Sequence, residues 1–297
     1  MKKLNKPKKQ YSRSDIISGY AFCAVWIVGF LVFTLYPIIQ TLIFSFYSNV
    51  NVQPGQIVTS GAGFTNYIYA LTQDADFQEG LSEYVIKLVL YVPVITVVSL
   101  ILAMLLNSKL KGTGFFRTIF FLPVIITSGP VIGIFINQGV ASFPGVDSLI
   151  NFESMAGTVP QFIIDALQFL TGEFIMILWF SGIQILVFMT GLQKMDKNMY
   201  EAAQIDGASK WEMFWKLTLP ALNPTIVLNV VFTVVMQSVF SLNPIITRIT
   251  GYMNSSDAEG GGYGYASATS WIYFVVMLAL LGLSILVFKK HERRVKR

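Results

Sequence analysis

Long uncharged stretches, rich in Leu, Ile, Val and Phe, alternate with short charged segments along the whole chain. The stretches without Asp, Glu, Lys or Arg are Ile16–Gln73, Leu88–Ser108, Thr118–Val146, Phe174–Gln193, Leu217–Thr247 and Gly260–Phe288. A helix needs about 20 apolar residues to cross a bilayer core, so each stretch predicts one crossing. The predicted crossings lie at about residues 20–46, 88–108, 118–138, 174–193, 222–247 and 267–288. A polar loop follows the first of them. The predicted fold is an all-α polytopic membrane protein with six transmembrane helices.

Basic residues are distributed unevenly around these spans. Every Lys and Arg except Lys87 and Arg248 lies before the first span, after the sixth, or in the second-to-third or fourth-to-fifth loop. Because loops that face the cytoplasm carry an excess of Lys and Arg, these segments are predicted to be cytoplasmic. The expected organisation is a cytoplasmic tail at 1–15, a six-helix domain at 16–288 and a second cytoplasmic tail at 289–297.

The composition excludes several classes of protein. Hydrophobic residues make up 54% of the chain and charged residues 12%, against about 25% charged in soluble domains. This excludes a soluble enzyme, a disordered protein and a nucleic-acid module. The net charge of +5 is read as orientation and contact with membrane lipid, not as binding of nucleic acid. One cysteine (Cys23) and one histidine (His291) leave no disulfide framework. No catalytic residue and no metal site are therefore predicted.

The fourth-to-fifth loop, Asp196–Pro220, has the pattern of a helix–Gly–helix hairpin. Met199–Asp206 is rich in good helix formers, and Gly207 stands where that helix would end, because glycine readily takes positive φ. Ser209 is followed three residues later by Glu212, which is the spacing of a capping box at the start of a second helix. The aromatic residues of the second helix exceed what packing on lipid requires.

The same loop carries a motif. It reads Glu201-Ala202-Ala203, three residues, Gly207, nine residues and Leu217-x-Leu219-Pro220. This resembles the EAA loop in permease subunits of binding-protein-dependent ABC importers, with Leu217 in place of Ile as the one departure. Two further segments, Gly112–Pro123 and Gly264–Trp271, resemble maltose- and glycerol-phosphate-type sugar permeases in particular.

The resemblance implies a type I ABC importer permease fold and a set of partners. These are a second homologous permease subunit, two cytoplasmic ABC ATPase subunits and an extracytoplasmic solute-binding protein. In that family the EAA loop docks in a cleft of the ATPase. The residues that the resemblance assigns to coupling are Glu201, Ala202, Ala203, Asp206, Gly207, Trp211, Leu219 and Pro220. The alternative is an amphipathic loop that lies on lipid headgroups.

The chain contains no G-x-x-x-x-G-K-[ST] sequence, so it lacks the loop that cradles nucleotide phosphates. We therefore expect no enzyme activity in this chain and no cofactor bound to it. ATP and magnesium are expected on the separate ATPase subunits.

Polar side chains inside the predicted spans are candidates for contact with a substrate. Asn229, Thr233 and Gln237 recur at four-residue spacing, so they share one helix face. In the sugar permeases that the chain resembles, the fourth and fifth spans line the binding cavity. Residues of the fourth span, and residues beside this face of the fifth, are therefore also candidates. The candidates are Asn229, Thr233, Met236, Gln237, Phe240, Trp179, Ser181 and Gln184. Amides and hydroxyls both donate and accept, as sugar hydroxyls require. The alternative is that they hydrogen-bond neighbouring helices.

Together these features predict an importer subunit for a carbohydrate, in particular an oligosaccharide, in a bacterial or archaeal plasma membrane. No charged residue lies in the middle of a predicted span, which favours a neutral substrate. The alternatives are the same importer class for glycerol phosphate or another polar solute, an ion-driven carrier, or a membrane enzyme. A carrier usually needs a charged group at mid-membrane, and an enzyme needs a catalytic constellation. The sequence shows neither within the spans.

Overall fold

The computed structural model describes residues 13–53, 56–61, 63–107, 160–161, 163–164, 167, 174–240, 243–255 and 261–295. Two compact units are present, one formed by Met1–Asp74 with Ile249–Ile272 and the other by Ala75–Arg248 with Tyr273–Arg297. The described residues are predominantly helical, and the helical membrane fold predicted from the sequence is confirmed.

The first unit begins with a long apolar helix. Its parts are α1 (Arg13–Phe30), a π-helical turn (Leu31–Leu35) and α2 (Tyr36–Phe44). A β-hairpin of β1 (Tyr47–Gln53) and β2 (Gln56–Gly61) follows, and then α3 (Thr65–Thr72). The second unit contains α4 (Ala75–Asn107), α5 (Phe174–Gln193), α6 (Lys197–Ile205), α7 (Lys210–Met213), a second π-helical turn (Phe214–Thr218), α8 (Leu219–Ala221) and α9 (Asn223–Ser238). Helices α10 (Pro244–Asn254) and α11 (Gly262–Val295) contribute residues to both units.

Side-chain contacts and a glycine hold the β-hairpin of the first unit. The Asn66 side-chain amide donates to the backbone carbonyls of Ser45 and Tyr47, at 3.0 and 2.9 Å. An ideal Cβ placed on Gly264 would overlap the Tyr47 carbonyl oxygen. The start of α11 therefore approaches β1 more closely than any side chain would allow. The sequence predicted only a polar loop here.

The core of the second unit lies where α4, α5 and the segment leading into α9 pack together. Its largest cluster consists of buried apolar residues: Leu100, Ala103, Leu106, Ile185, Phe188, Met189 and Leu222. A second cluster joins Tyr91 and Ile95 of α4 to Ile177 and Phe180 of α5. Gly191 lets α5 approach α9, because a Cβ there would lie 2.8 Å from Thr225 Oγ1. Small residues at such contacts are typical of helix packing in membranes.

The helices agree with the predicted spans to different degrees. Helix α5 coincides with the predicted span at 174–193, whereas the span predicted at 118–138 and the Gly112–Pro123 segment lie outside the described residues. Helix α4 begins at Ala75, well before the predicted start at residue 88. Acidic residues in the extension suit a helix N-terminus, and Glu83 pairs with Lys87 at 2.8 Å. Helix α11 likewise extends beyond the span predicted at 267–288, from Gly262 to Val295.

The helix predicted over 222–247 is interrupted in the structure. Helix α9 ends at Ser238 and α10 begins at Pro244. The Asn243 side chain accepts a hydrogen bond from the Ile245 N–H at 3.3 Å, so it caps a new helix start. Proline is favoured in the first turn of a helix, because it lacks the N–H that would otherwise be unpaired there. The absence of charged residues indicates an apolar segment, but it does not indicate whether one helix runs through the whole segment.

Four described helical segments are long and apolar enough to cross a membrane. They are Ser18–Phe44, Ala75–Asn107, Met176–Gln193 and Gly262–Val287. A fifth candidate is a broken pair, Lys210–Ala221 and Asn223–Ser238, which bends by 64°. The count of six spans therefore stays a prediction.

Candidate functional site

Local capping fixes the first arm of a helical hairpin, which we define as residues Asp196–Leu222. The Asp196 carboxylate accepts the Asn198 N–H at 2.9 Å, so α6 begins with a side-chain cap. Helix α6 ends where Gly207 takes a φ of 81°. The Ala208 N–H then reaches back to the Ala203 carbonyl at 2.9 Å, as in a Schellman motif. The predicted end of the first helix at Gly207 is observed.

The second arm begins with the predicted capping box. Ser209 Oγ accepts the Glu212 N–H at 3.2 Å, and Glu212 Oε2 accepts the Ser209 N–H at 3.0 Å. The Ser209 N–H stabilises the charged carboxylate, and the nearby Lys216 does so to a smaller extent. Together they lower the pKa of Glu212 below its ordinary value. The hairpin angle is thus defined at Gly207 and fixed by caps on both sides.

The hairpin exposes an apolar and acidic surface. Ile205 is 86% exposed and Trp211 is 69% exposed. The rings of Trp211 and Trp215 lie 5.5 Å apart in an edge-to-face arrangement. Glu201 is exposed on the same helix as Ile205. Large exposed aromatic and aliphatic side chains beside a charge are typical of surfaces that bind another protein.

The base of the hairpin is joined to the core of the second unit. Leu219 packs against the cluster that contains Leu222, which is itself almost fully buried. The chain then bends by 64° into α9. Packed side chains therefore join the second arm to α9, because Ile226 of α9 packs against the same cluster. Of the predicted coupling residues, the structure places Glu201, Ala202, Ala203, Asp206, Gly207, Trp211, Leu219 and Pro220 within this one hairpin.

The predicted substrate residues include a buried polar cluster between α5 and α9, which we define as Gln184, Asn229 and Thr233. Gln184 Nε2 donates to Thr233 Oγ1 at 3.0 Å, and Asn229 Nδ2 donates to the Gln184 backbone carbonyl at 3.3 Å. Thr233 Oγ1 in turn donates to the Asn229 carbonyl at 2.8 Å. The helix-to-helix hydrogen bonds that the sequence left as an alternative are therefore present.

The cluster nevertheless retains unused hydrogen-bonding capacity. Gln184 Oε1 and Asn229 Oδ1 are buried and have no hydrogen-bond partner among the described residues. Trp179 Nε1 and Gln237 Nε2 are also buried without a partner in this part of the chain. A buried polar atom left unpaired costs about 1–3 kcal/mol. These four atoms are therefore open to a hydrogen-bond partner outside the described residues.

The remaining candidates lie elsewhere on the same helices. Ser181 Oγ donates to the Ile177 carbonyl of its own helix at 2.6 Å. Met236 and Phe240 pack against the cluster that contains Tyr91, Ile95, Ile177 and Phe180. The structure does not bring these three side chains into the hydrogen bonds of the polar cluster.

Sequence reasoning missed a second buried network in the same unit. The Tyr84 and Ser238 hydroxyls lie 2.5 Å apart, and the Tyr273 hydroxyl donates to the Ser238 carbonyl at 2.6 Å. Asn243 Nδ2 contacts the Tyr273 hydroxyl at 3.2 Å. The network ties the end of α9 to α4 and α11. No local pattern indicates it, because its members are far apart in the sequence.

Comparison with known proteins places the chain among membrane transport components. Residues 76–297 match the family described as binding-protein-dependent transport system inner membrane component. The probable ABC transporter permease protein YesP of Bacillus subtilis is 30% identical over 305 residues, covering 95% of this chain and 93% of that protein. The arabinooligosaccharides transport system permease protein AraP of the same organism is 32% identical over 282 residues, covering 88% and 85%.

A third relative and a solved structure extend the comparison. The lactose transport system permease protein LacF of Rhizobium radiobacter is 32% identical over 235 residues, covering 76% of this chain and 73% of that protein. The crystal structure of a bacterial ABC transporter involved in the import of alginate matches with a TM-score of 0.61 and 17% identity. That match covers 93% of this chain and 98% of the matched chain. At this level of identity the likeness concerns the fold alone.

Proposed function

The chain belongs to the family of binding-protein-dependent transport system inner membrane components, and from this membership we propose that it is the permease subunit of an ABC importer that carries a sugar. The observation that carries the proposal is the Asp196–Leu222 helical hairpin, which presents the EAA pattern on an exposed apolar surface. Relatives that align over most of the chain are named for arabinooligosaccharides and lactose. These names favour an oligosaccharide substrate.

The hairpin is the proposed docking element for a separate ATPase subunit. Its exposed Ile205 and Trp211 provide anchors that fill a pocket, and Glu201 provides a charge for a basic partner group. Capping at Ser209 and Gly207 gives the hairpin a defined angle. ATP and magnesium would act on that partner, not on this chain. The proposed orientation places the hairpin and both termini in the cytoplasm.

Further partners complete the proposed importer. Helix segment Ser18–Phe44 is apolar and exposed along almost all of its length, which suits contact with lipid and with a second homologous permease. The family description supports an extracytoplasmic solute-binding protein that delivers the sugar. In this arrangement two hairpins, one from each permease, engage two ATPase subunits.

The polar cluster between α5 and α9 is the proposed sugar-contacting site in this chain. The Gln184 and Asn229 oxygens, which have no partner in the part of the chain that the structure describes, would accept hydrogen bonds. The buried Gln237 Nε2 and Trp179 Nε1, on the same two helices, would donate them. This mixture matches sugar hydroxyls, which both donate and accept. Arg248, the cation that would favour a phosphorylated substrate, instead donates to the Asp76 carbonyl and pairs with Glu79 at 3.4 Å. A neutral sugar is therefore favoured over glycerol phosphate.

Site-directed cross-linking tests the docking surface. In a Cys23→Ser background, Ile205→Cys is expected to cross-link to the ATPase subunit, because Ile205 projects from the hairpin. Val89→Cys is the matched control, since Val89 is also a largely exposed aliphatic residue but lies on α4. Equal cross-linking from both positions, or none from Ile205→Cys, would contradict hairpin docking.

A substitution in α9 tests the sugar site. Gln237→Ala is expected to weaken the apparent affinity for the transported sugar about 3- to 10-fold, the range for loss of one hydrogen bond. Uptake of a panel of radiolabelled sugars measures both affinity and selectivity. Gln193→Ala, at the exposed end of α5, is the control. An unchanged affinity and sugar profile in Gln237→Ala would place the sugar contacts elsewhere.

A further inference from the structure

One side chain connects the two arms of the helical hairpin. The Tyr200 hydroxyl, on α6, lies 2.8 Å from Thr218 Oγ1, which ends the π-helical turn of the second arm. The same hydroxyl lies 3.0 Å from Met195 Sδ, in the segment that follows α5. The two arms of the hairpin and the residue just before it therefore meet at the Tyr200 hydroxyl, one residue before Glu201.

The Tyr200 and Thr218 hydroxyls each carry one proton, and either can donate in the bond between them. The other acceptor within reach of the Tyr200 hydroxyl is Met195 Sδ, and that of Thr218 Oγ1 is the Met213 carbonyl at 3.3 Å. Thr218 is only 7% exposed, so water competes little for this bond. π-Helical turns also occur frequently at functional sites.

The position of this bridge matters because caps, and not side-chain packing, hold the corner of the hairpin. Gly207 is at positive φ, and among the described residues no atom beyond its chain neighbours lies within 4 Å of where its Cβ would be. The hydrogen bond between Tyr200 and Thr218 adds a direct link between the two arms. Thr218 directly precedes Leu219, which packs on the core, and the chain then enters α9 with its polar cluster.

From this geometry we infer that the Tyr200–Thr218 bridge is a positioning device that converts displacement of the first arm into movement of α9. The inference rests on the proposed docking of the hairpin to an ATPase. Tyr200 touches neither nucleotide nor sugar in this scheme. Its hydroxyl sets how much of each ATP-driven displacement reaches the sugar site, so it governs the coupling ratio and not the assembly of the complex.

The test compares sugar transported per ATP hydrolysed in the complete reconstituted importer. Tyr200→Phe and Thr218→Val each remove one hydroxyl and retain the side-chain shape. Each is expected to lower the ratio about 3- to 10-fold, while ATPase subunits still co-purify and hydrolyse ATP. The double variant is expected to be no worse than either single variant, because both remove the same bond. Thr218→Ser restores a hydroxyl and is expected to keep the ratio near that of the unsubstituted protein.

Thr190→Val is the matched control, because among the described residues Thr190 Oγ1 bonds only to the Val187 carbonyl of its own helix. If both Tyr200→Phe and Thr218→Val leave the ratio unchanged while the unsubstituted complex couples normally, the inferred role of the bridge is wrong. The proposed function of the chain would still stand. A loss in Thr218→Ser equal to that in Thr218→Val would also overturn it. If the unsubstituted complex shows no ATP-driven sugar uptake, the proposed function falls, and the coupling role of the bridge falls with it.

Discussion

Exchange of Glu201 for Lys is expected to reduce ATP-driven sugar uptake about 30-fold or more, the effect of losing a hot spot worth at least about 2 kcal/mol. Glu201 is exposed on α6, beside the apolar surface formed by Ile205. A lysine there would repel the basic partner group and leave it without its carboxylate. Uptake and co-purification of the ATPase subunits, measured on the same membranes, report the effect.

Gln193→Lys is the control for this substitution. Gln193 is exposed at the end of α5, close to the hairpin but outside its two arms. It therefore adds a lysine in the same region without removing the Glu201 carboxylate. If Glu201→Lys retains normal uptake and normal association with the ATPase subunits, the docking role of Glu201 is wrong.

Replacement of Gly264 by Ala is expected to destabilise the protein by about 3 kcal/mol or more, at the upper end of the range for overpacked sites. The new Cβ would overlap the Tyr47 carbonyl oxygen. Since that atom belongs to the backbone, a rotamer change cannot relieve the clash. The start of α11 or the β-hairpin must move instead. In a thermal unfolding assay in detergent, the midpoint is expected to fall by roughly 6 °C or more.

The same helix supplies the control. Gly282 also lies in α11, and among the described residues no atom outside its own stretch of helix lies within 4 Å of its ideal Cβ. Gly282→Ala is expected to leave the midpoint unchanged or raise it slightly, because alanine favours a helix by about 1 kcal/mol over glycine. Equal midpoints for Gly264→Ala and Gly282→Ala would show that the close approach at Tyr47 is absent.

The helical hairpin was predictable because its determinants are local. Asp196, Ser209 and Glu212 form caps with residues two or three positions away. Gly207 ends α6 through its own backbone conformation. Each of these features needs only a few neighbouring residues, so the sequence pattern is enough to identify them. The Tyr200–Thr218 bridge crosses 18 residues and has no such pattern.

The interruption after α9 was not predictable from uncharged composition. A continuous span and two helices separated by a short break have the same apolar content. The break at Asn243 and Pro244 is stabilised by contacts with distant residues, including Tyr273 of α11. The β-hairpin was missed for a related reason, since Asn66 and Gly264 hold it from outside its own sequence.

Two of the three residues of the polar cluster were predictable from helical spacing. Asn229 and Thr233 are four residues apart, so they share a face, and both are buried. Their contact with Gln184 depends on how α5 packs against α9, which spacing within one helix does not specify. Ser181 lies on the same helix as Gln184 but bonds back to its own backbone. Residue type alone does not separate these two outcomes.

ATPase activity of the purified complex in nanodiscs, with its solute-binding protein, tests the central claim most directly. The panel consists of neutral mono- and oligosaccharides together with sugar phosphates and glycerol phosphate. The account predicts that ATPase subunits co-purify with this chain and that a neutral sugar stimulates hydrolysis only when the binding protein is present. Absence of any co-purifying ATPase, or stimulation by none of the sugars, would contradict the assignment of this chain as the permease of a sugar importer.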